Sequence, residues 1–230
     1  VALPDEVITH ALGSSANWRS AQNGVASYEA TKPMLIVMNE NAAANNTDIY
    51  EKGVKVDSVT SNTYQSLSTA DYSLGRSLDA ANQFFYDGKI AEVINYSGRV
   101  SDAERNKIES YLSLKYGMTL NNGTQNYIAS DGSTTYWSTG TAGSYIYNIF
   151  GIGRDDTSEL SQITSKSVNN NAVITLEALG EGTNLTPSFV DMGDKEFLTI
   201  SHNAGSNTWS AIDAPATYNI LSRKWKVQET

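Results

Sequence analysis

Residues 87–120, DGKIAEVINYSGRVSDAERNKIESYLSLKYGMTL, constrain this chain more tightly than any other stretch. Residues 89–96 alternate as a β run, with Ile90 and Ile94 on one face and Val93 on the other. Ser97-Gly98 breaks the run. Ser101 then opens a helix as N-cap, Glu104 three places on completes a capping box, and Asp102 suits the positive end. Ile108, Tyr111, Leu112 and Tyr116 follow at helical spacing, which predicts a buried stripe there. Glu104, Arg105, Lys107 and Glu109 are left for water. Gly117 supplies the left-handed stop. The expected product is one helix over residues 101–116, a joint between two β-rich halves rather than a catalytic element.

The flanking sequence carries strand signals. Residues 34–38 are an unbroken apolar run of strand length, the mark of a strand covered on both faces. Residues 49–56 read as a hairpin, residues 72–76 as a further strand, and Trp18 and Tyr28 as buried anchors of a weakly patterned opening. After the linker at 121–124, strands are expected over 127–137 around a turn at 130–133, then over 145–153, 172–179, 197–202, 218–221 and 223–227. No helix is expected in this second half. The resulting expectation is an all-β chain of antiparallel jelly-roll or β-sandwich modules joined by one α-helix, with residues 1–120 and 121–230 as the two domains.

Composition narrows the function classes. The chain has 230 residues, enough for one large sandwich or two modest ones without covalent staples. A formal charge of −9 and the absence of any basic stripe argue against a nucleic-acid footprint. Cysteine is absent, which removes disulfides, thiol nucleophiles and thiolate metal sites together. No run approaches the roughly 18 apolar residues of a membrane span, so no membrane insertion is expected in this segment.

The candidate chemistry is sparse. Gly151-Ile152-Gly153-Arg154-Asp155-Asp156 lacks the third glycine and the Gly-Lys-Ser/Thr of a phosphate loop. Its glycines let a strand bend and its aspartates start a turn. The functional alternative is calcium, since adjacent loop carboxylates are hard oxygen ligands. Asp155 and Asp156 are the metal candidates, with Asp131 of the Asp-Gly turn as a third. For a sugar site, asparagine amides hydrogen-bond hydroxyls and aromatic faces stack on pyranose C–H groups. Trp137, Asn203 and Trp209 are the ligand-binding candidates, with core packing and turn chemistry as the alternative reading of each.

His10 and His202 are the only histidines, without zinc-protease spacing, and His202 reads as a capping surface residue. No serine sits in a nucleophile elbow. The paired carboxylates of a laminarinase-type glucanase strand are missing. No catalytic residue is assigned, and the chain is read as a non-enzyme.

The pattern DGKIAEVI–Y–S–R–SDAER–KIESYL–LKYG resembles the last strand and exit helix of bacterial laminin-G-like, concanavalin A-like lectin domains. The segments YIASDGSTTYW (127–137), IFGIGRDDTSELSQITSKSV (149–168) and RKWKVQET (223–230) resemble an uncharacterised β-rich module that follows such domains. The resemblance covers nearly the whole chain. It implies an N-terminally incomplete lectin-type sandwich followed by a C-terminally truncated one, in a piece of a large bacterial surface protein or adhesin. It further implies a secreted or cell-surface location and a non-catalytic module recognising a glycan or peptide, sometimes through calcium. The alternative is a structural or assembly unit of an extracellular surface protein or filament that docks on neighbouring domains or subunits. A glycan-active hydrolase comes third.

Overall fold

A computed structural model describes residues 6–11, 18–22, 33–41, 46–60, 74–75, 85–86, 88–178, 192–211 and 219–230, with backbone alone at 6–22, 59–60, 209–211 and 219–220. Tyr28, the side chains of Trp18 and Trp209, and most of the strand expected at 72–76 lie outside the described residues. The chain is predominantly β, in antiparallel sheets with few helices. It divides into two compact units: residues 1–28, 37–50 and 55–100, and residues 29–36, 51–54 and 101–230.

In the first unit β1 (Glu6–Ala11) pairs antiparallel with β2 (Trp18–Gln22). A three-stranded sheet follows in the order β3 (Ile36–Asn41), β4 (Asn46–Glu51), β5 (Val54–Thr60). Lys52 and Gly53, which count with the second unit, join β4 to β5 with φ of 46° and 85°. Two successive positive φ values are what a two-residue hairpin needs to match strand twist. Asp48, 4% exposed, anchors this sheet by accepting from Ser58 Oγ at 2.7 Å and pairing with Arg99 at 2.9 Å and Lys55 at 2.6 Å. Burial alone would push its carboxyl up, but these donors hold it down to about 2.

The β run expected at 89–96 does not join a ladder among the described residues. Ile90, Val93 and Ile94 are 51%, 49% and 41% exposed. The alternation reports side chains that suit a pleated surface, whereas a ladder also requires a neighbouring edge.

The second unit begins with helix α1 (Asp102–Tyr116). Ser101 Oγ accepts from Glu104 N at 3.1 Å, and Gly117 stops the helix at φ 64°, ψ 31°. Gly117 N and Met118 N close the end onto Leu114 O and Ser113 O. The capping box is half made: the Glu104 carboxylate pairs with Lys107 at 2.6 Å. The buried face differs from the expected stripe. Glu109, Ser110, Ser113 and Leu114 are buried, while Ile108, Tyr111 and Leu112 are only half-buried. Close approach explains the difference. Small Ser110 lets the following strand come near and donates to Asn106 O while accepting from Ile128 N.

Strands β6 (Tyr127–Ile128) and β7 (Thr135–Trp137) form a short hairpin; then come α2 (Thr139–Ala142) and β8 (Tyr147–Asp155). The four-residue α2 corrects the expectation of a helix-free second half. β9 (Leu160–Gln162), β10 (Thr164–Ser165), β11 (Leu176–Glu177), β12 (Phe197–His202), β13 (Trp209–Ala211), β14 (Asn219–Leu221) and β15 (Trp225–Glu229) complete the chain. The main sheet runs β15-β12-β8-β9, with two-stranded pairs β6-β7, β10-β11 and β13-β14.

The core unites Leu114, Leu120, Tyr127, Tyr136, Trp137, Ile149, Leu160 and Phe197. Phe197 stands opposite Gly153, where a Cβ would fall 2.2 Å from the phenyl ring. The glycines of the Gly-Ile-Gly run thus serve close strand packing. At the sheet's edge, Gln228 imitates a peptide group. Its Oε1 accepts from Ser138 N at 2.8 Å and its Nε2 donates to Ser138 O at 3.0 Å.

Candidate functional site

The polar residues singled out from the sequence are mostly spent on the fold. Asp155, 2% exposed, ends β8 and accepts from Ser130 N at 2.9 Å, Ser130 Oγ at 2.6 Å and Tyr136 Oη at 2.8 Å. Lys195 Nζ stands 3.8 Å away. Burial raises its pKa, but the Ser130, Tyr136 and Lys195 donors outweigh that and leave it below the ordinary value. The same contact, added to burial, pushes the Tyr136 hydroxyl up.

Asp156 is exposed, bridged by Arg154 Nη2 at 2.9 Å, and its N–H donates to Asp194 at 2.8 Å. Asp131, also exposed, turns back on its own loop. It accepts from Thr134 N at 2.9 Å and Ser133 N at 2.8 Å, which hold it down to about 2. A cation would have to displace these bonds. Among the described residues no group of three or more His, Asp or Glu is placed to hold a metal ion.

Trp137 is completely buried in the core and offers no face to a solute. Asn203 is half-buried and accepts from Gly205 N and Lys224 N at 3.0 Å each, the chemistry of a polar turn. Trp209 pairs through its backbone with Leu221. The structure does not gather Trp137, Asn203 and the three aspartates into one site.

His202 is hydrogen-bonded, as expected of a capping or hydrogen-bonded residue, but is buried at 3% exposure and not at the surface. Its Nδ1 accepts from Ala204 N at 3.0 Å, which places the proton of the neutral ring on Nε2. Burial, with Arg223 adding repulsion, pushes its pKa down to about 4.

What the sequence reading missed is a cavity of about 210 Å³ in the second unit. Its wall is built from the hairpin residue Lys52, the turn after α1 (Thr119, Asn122), the start of β8 (Tyr147, Asn148) and Asn169; Met118, Ile146 and Val168 add apolar surface. The wall is tied together. Asn121 N donates to Lys52 O at 2.6 Å, and Ile149 N to Thr119 Oγ1 at 3.1 Å.

Three amides form a chain. Asn169 Nδ2 donates to Asn148 Oδ1 at 2.5 Å, and Asn148 Nδ2 to Asn171 Oδ1 at 2.8 Å. Tyr147 is 46% exposed, and its ring lies stacked on His202, 5.8 Å between centroids and 18° between planes. Asn148 sits at a register shift between β8 and β12, with φ 55° and 5% exposure. Bulges of this kind re-aim side chains. The asparagine pair at 121–122 and the asparagine triplet at 169–171 were the available signal, since asparagine tolerates the left-handed region. Nothing in a linear reading brings them together.

The second unit is therefore an antiparallel β module with one packed helix, and its sequence has a counterpart. Residues 104–230, more than half the chain, match the family described as Domain of unknown function (DUF8202), and the chain belongs to that family. No curated protein and no solved structure matches it. Among the described residues no helix is long and apolar enough to cross a membrane.

Proposed function

We propose that this chain is a non-catalytic binding module of a secreted or cell-surface bacterial protein, recognising a glycan or peptide outside the cell. In this reading its first part is a laminin-G-like sandwich and its second a smaller sandwich of jelly-roll type. The observation that carries the binding assignment is the amide-lined cavity, which combines concavity, an aromatic face and unspent polar groups, the usual ingredients of a recognition site. The acidic, cysteine-free composition and the lectin-like motif at 87–117 support the extracellular setting.

The test is thermal unfolding against a glycan and peptide panel, in calcium and in chelator. One ligand class should raise Tm in a concentration-dependent way. Dependence of that rise on calcium would direct attention to Asp155 and Asp156. A Tm unmoved by every member of the panel would overturn the reading.

A second reading, a structural or assembly unit, has its own observation. Among the described residues β15 is an edge strand with Val227 50% exposed, and Phe85, Tyr86 and Tyr96 are 68%, 54% and 54% exposed. Exposed edges and apolar ribbons favour self-association. Concentration-dependent association without any ligand response would favour it.

A further inference from the structure

We infer that the cavity beside Tyr147 accepts a single neutral pyranose ring, with the Tyr147 face stacked on the sugar and Asn122 and Asn169 as partners for its hydroxyls. The inference rests on the binding-module reading and assigns it a place and a ligand class.

Size comes first. A volume of about 210 Å³ is below the roughly 300 Å³ where sites for drug-sized ligands begin. It suits one small ring and is too small for a folded segment.

Charge comes second. Lys52 is the one ionised side chain among the lining residues, and it lies 3.4 Å from the Glu51 carboxylate. An ionic ligand would find little uncompensated charge here. A hydroxylated neutral one would find amides, each of which supplies donors and an acceptor together. Asn169 uses one side-chain N–H on Asn148, and its side-chain oxygen carries no hydrogen bond among the described residues; Asn122 is exposed and its side-chain amide carries none either.

Preorganisation comes third. The exposed Tyr147 ring is backed by buried His202 and so held in one orientation, which lowers the ordering cost of stacking. Seven non-glycine residues among those described have positive φ, and three of them, Lys52, Asn122 and Asn148, line this cavity. The hairpin accounts for Lys52. Asn148 takes its conformation at the register shift between β8 and β12, which fixes where its amide lies.

The experiment is saturation-transfer NMR on the full chain with methyl pyranosides of glucose, galactose, mannose and N-acetylglucosamine, and with a capped Gly-Asn-Gly peptide. At least one pyranoside should receive saturation. Tyr147→Ala and Asn122→Gly should each weaken its binding about tenfold or more, Asn122→Gly at unchanged Tm and Tyr147→Ala with the chain still folded. Both positions are exposed, and glycine accepts the left-handed backbone at 122. Equal binding by the wild type and both variants would overturn this site while leaving the module reading standing. Saturation of the peptide alone would overturn the ligand class. Silence from every pyranoside and from the peptide, with no Tm response to the larger panel, would overturn both readings.

Discussion

Glu109 is completely buried on helix α1, and its carboxylate lies 2.8 Å from the guanidinium of Arg105, one turn earlier. Gln125 Nε2 donates to the same oxygen, Oε2, at 3.3 Å. Burial pushes the Glu109 pKa up, with Arg105 and Gln125 pulling part of the way back. Folding therefore favours the protonated acid. That contribution is fully present below the ordinary carboxylate value and is lost as pH rises through the raised one. Glu109→Gln should match or exceed wild-type stability at pH 8, and the advantage should vanish towards pH 4. Arg105→Ala, which strands the buried charge, should cost about 3–5 kcal/mol at neutral pH and less in acid. Urea unfolding of the three proteins across this range is the check; a pH-independent difference would refute the assignment.

His202 gives the opposite slope. Its folded pKa is depressed to about 4, so its contribution is present above the ordinary histidine value near 6.5 and disappears as pH falls through the folded one. Asp48, held at about 2, loses its contribution only below the ordinary aspartate value of 3.8. Stability lost between pH 6.5 and 4.5 should therefore be absent from His202→Phe, which keeps a ring on Tyr147. That variant should start lower, by about 1–3 kcal/mol, because Ala204 N loses its acceptor. An unchanged acid limb would show that another group titrates there.

Leu114 and Ile108 distinguish the observed helix face from the one the apolar spacing predicts. Leu114 is completely buried in the core, so Leu114→Ala should cost about 2–5 kcal/mol. Ile108 is half-buried, and its truncation should cost clearly less. Denaturant midpoints of the two variants settle the order.

Gly117 combines two constraints. Its φ is 64°, and a Cβ there would lie 2.1 Å from Lys166 O. Gly117→Ala should lose about 1–2 kcal/mol to the left-handed backbone and a further ~1–3 to crowding. Gly140, in α2, has nothing nearer than Ser138 Oγ at 3.6 Å, so Gly140→Ala should be neutral or slightly stabilising. Equal melting temperatures for the two variants would contradict this account.

Local signals were legible where local physics decides. Ser101, Glu104 and Gly117 define helix ends through bonds that span three or four residues, and the structure shows that helix between the caps. The strand at 197–202 was equally plain, being apolar, β-prone and bounded by turns. The buried helix face was not legible, because it is polar. Glu109 and Ser110 are inside by virtue of Arg105, Gln125 and the backbone of Ile128, partners that apolar periodicity ignores. The cavity was hidden for a related reason. Lys52, Asn122 and Asn169 come from separate turns and Asn148 from the start of β8, and each alone reads as ordinary turn or strand chemistry. Trp137 shows the converse: a residue chosen for its stacking face is consumed by the core.

The clasp between Gln228 and Ser138 joins positions 90 apart in the sequence. Strand β12, too, is paired on one side with β8 and on the other with β15. Such closure over long loops delays assembly, since the entropy of bringing the ends together is lost before any contact rewards it. During synthesis, helix α1 and the β6–β7 hairpin can form early from neighbouring residues. The central sheet must wait, with its apolar face uncovered, until residues 225–229 have left the ribosome. Pairing of β12 with β15 is therefore the step that ends the period in which the central sheet is most open to misassembly.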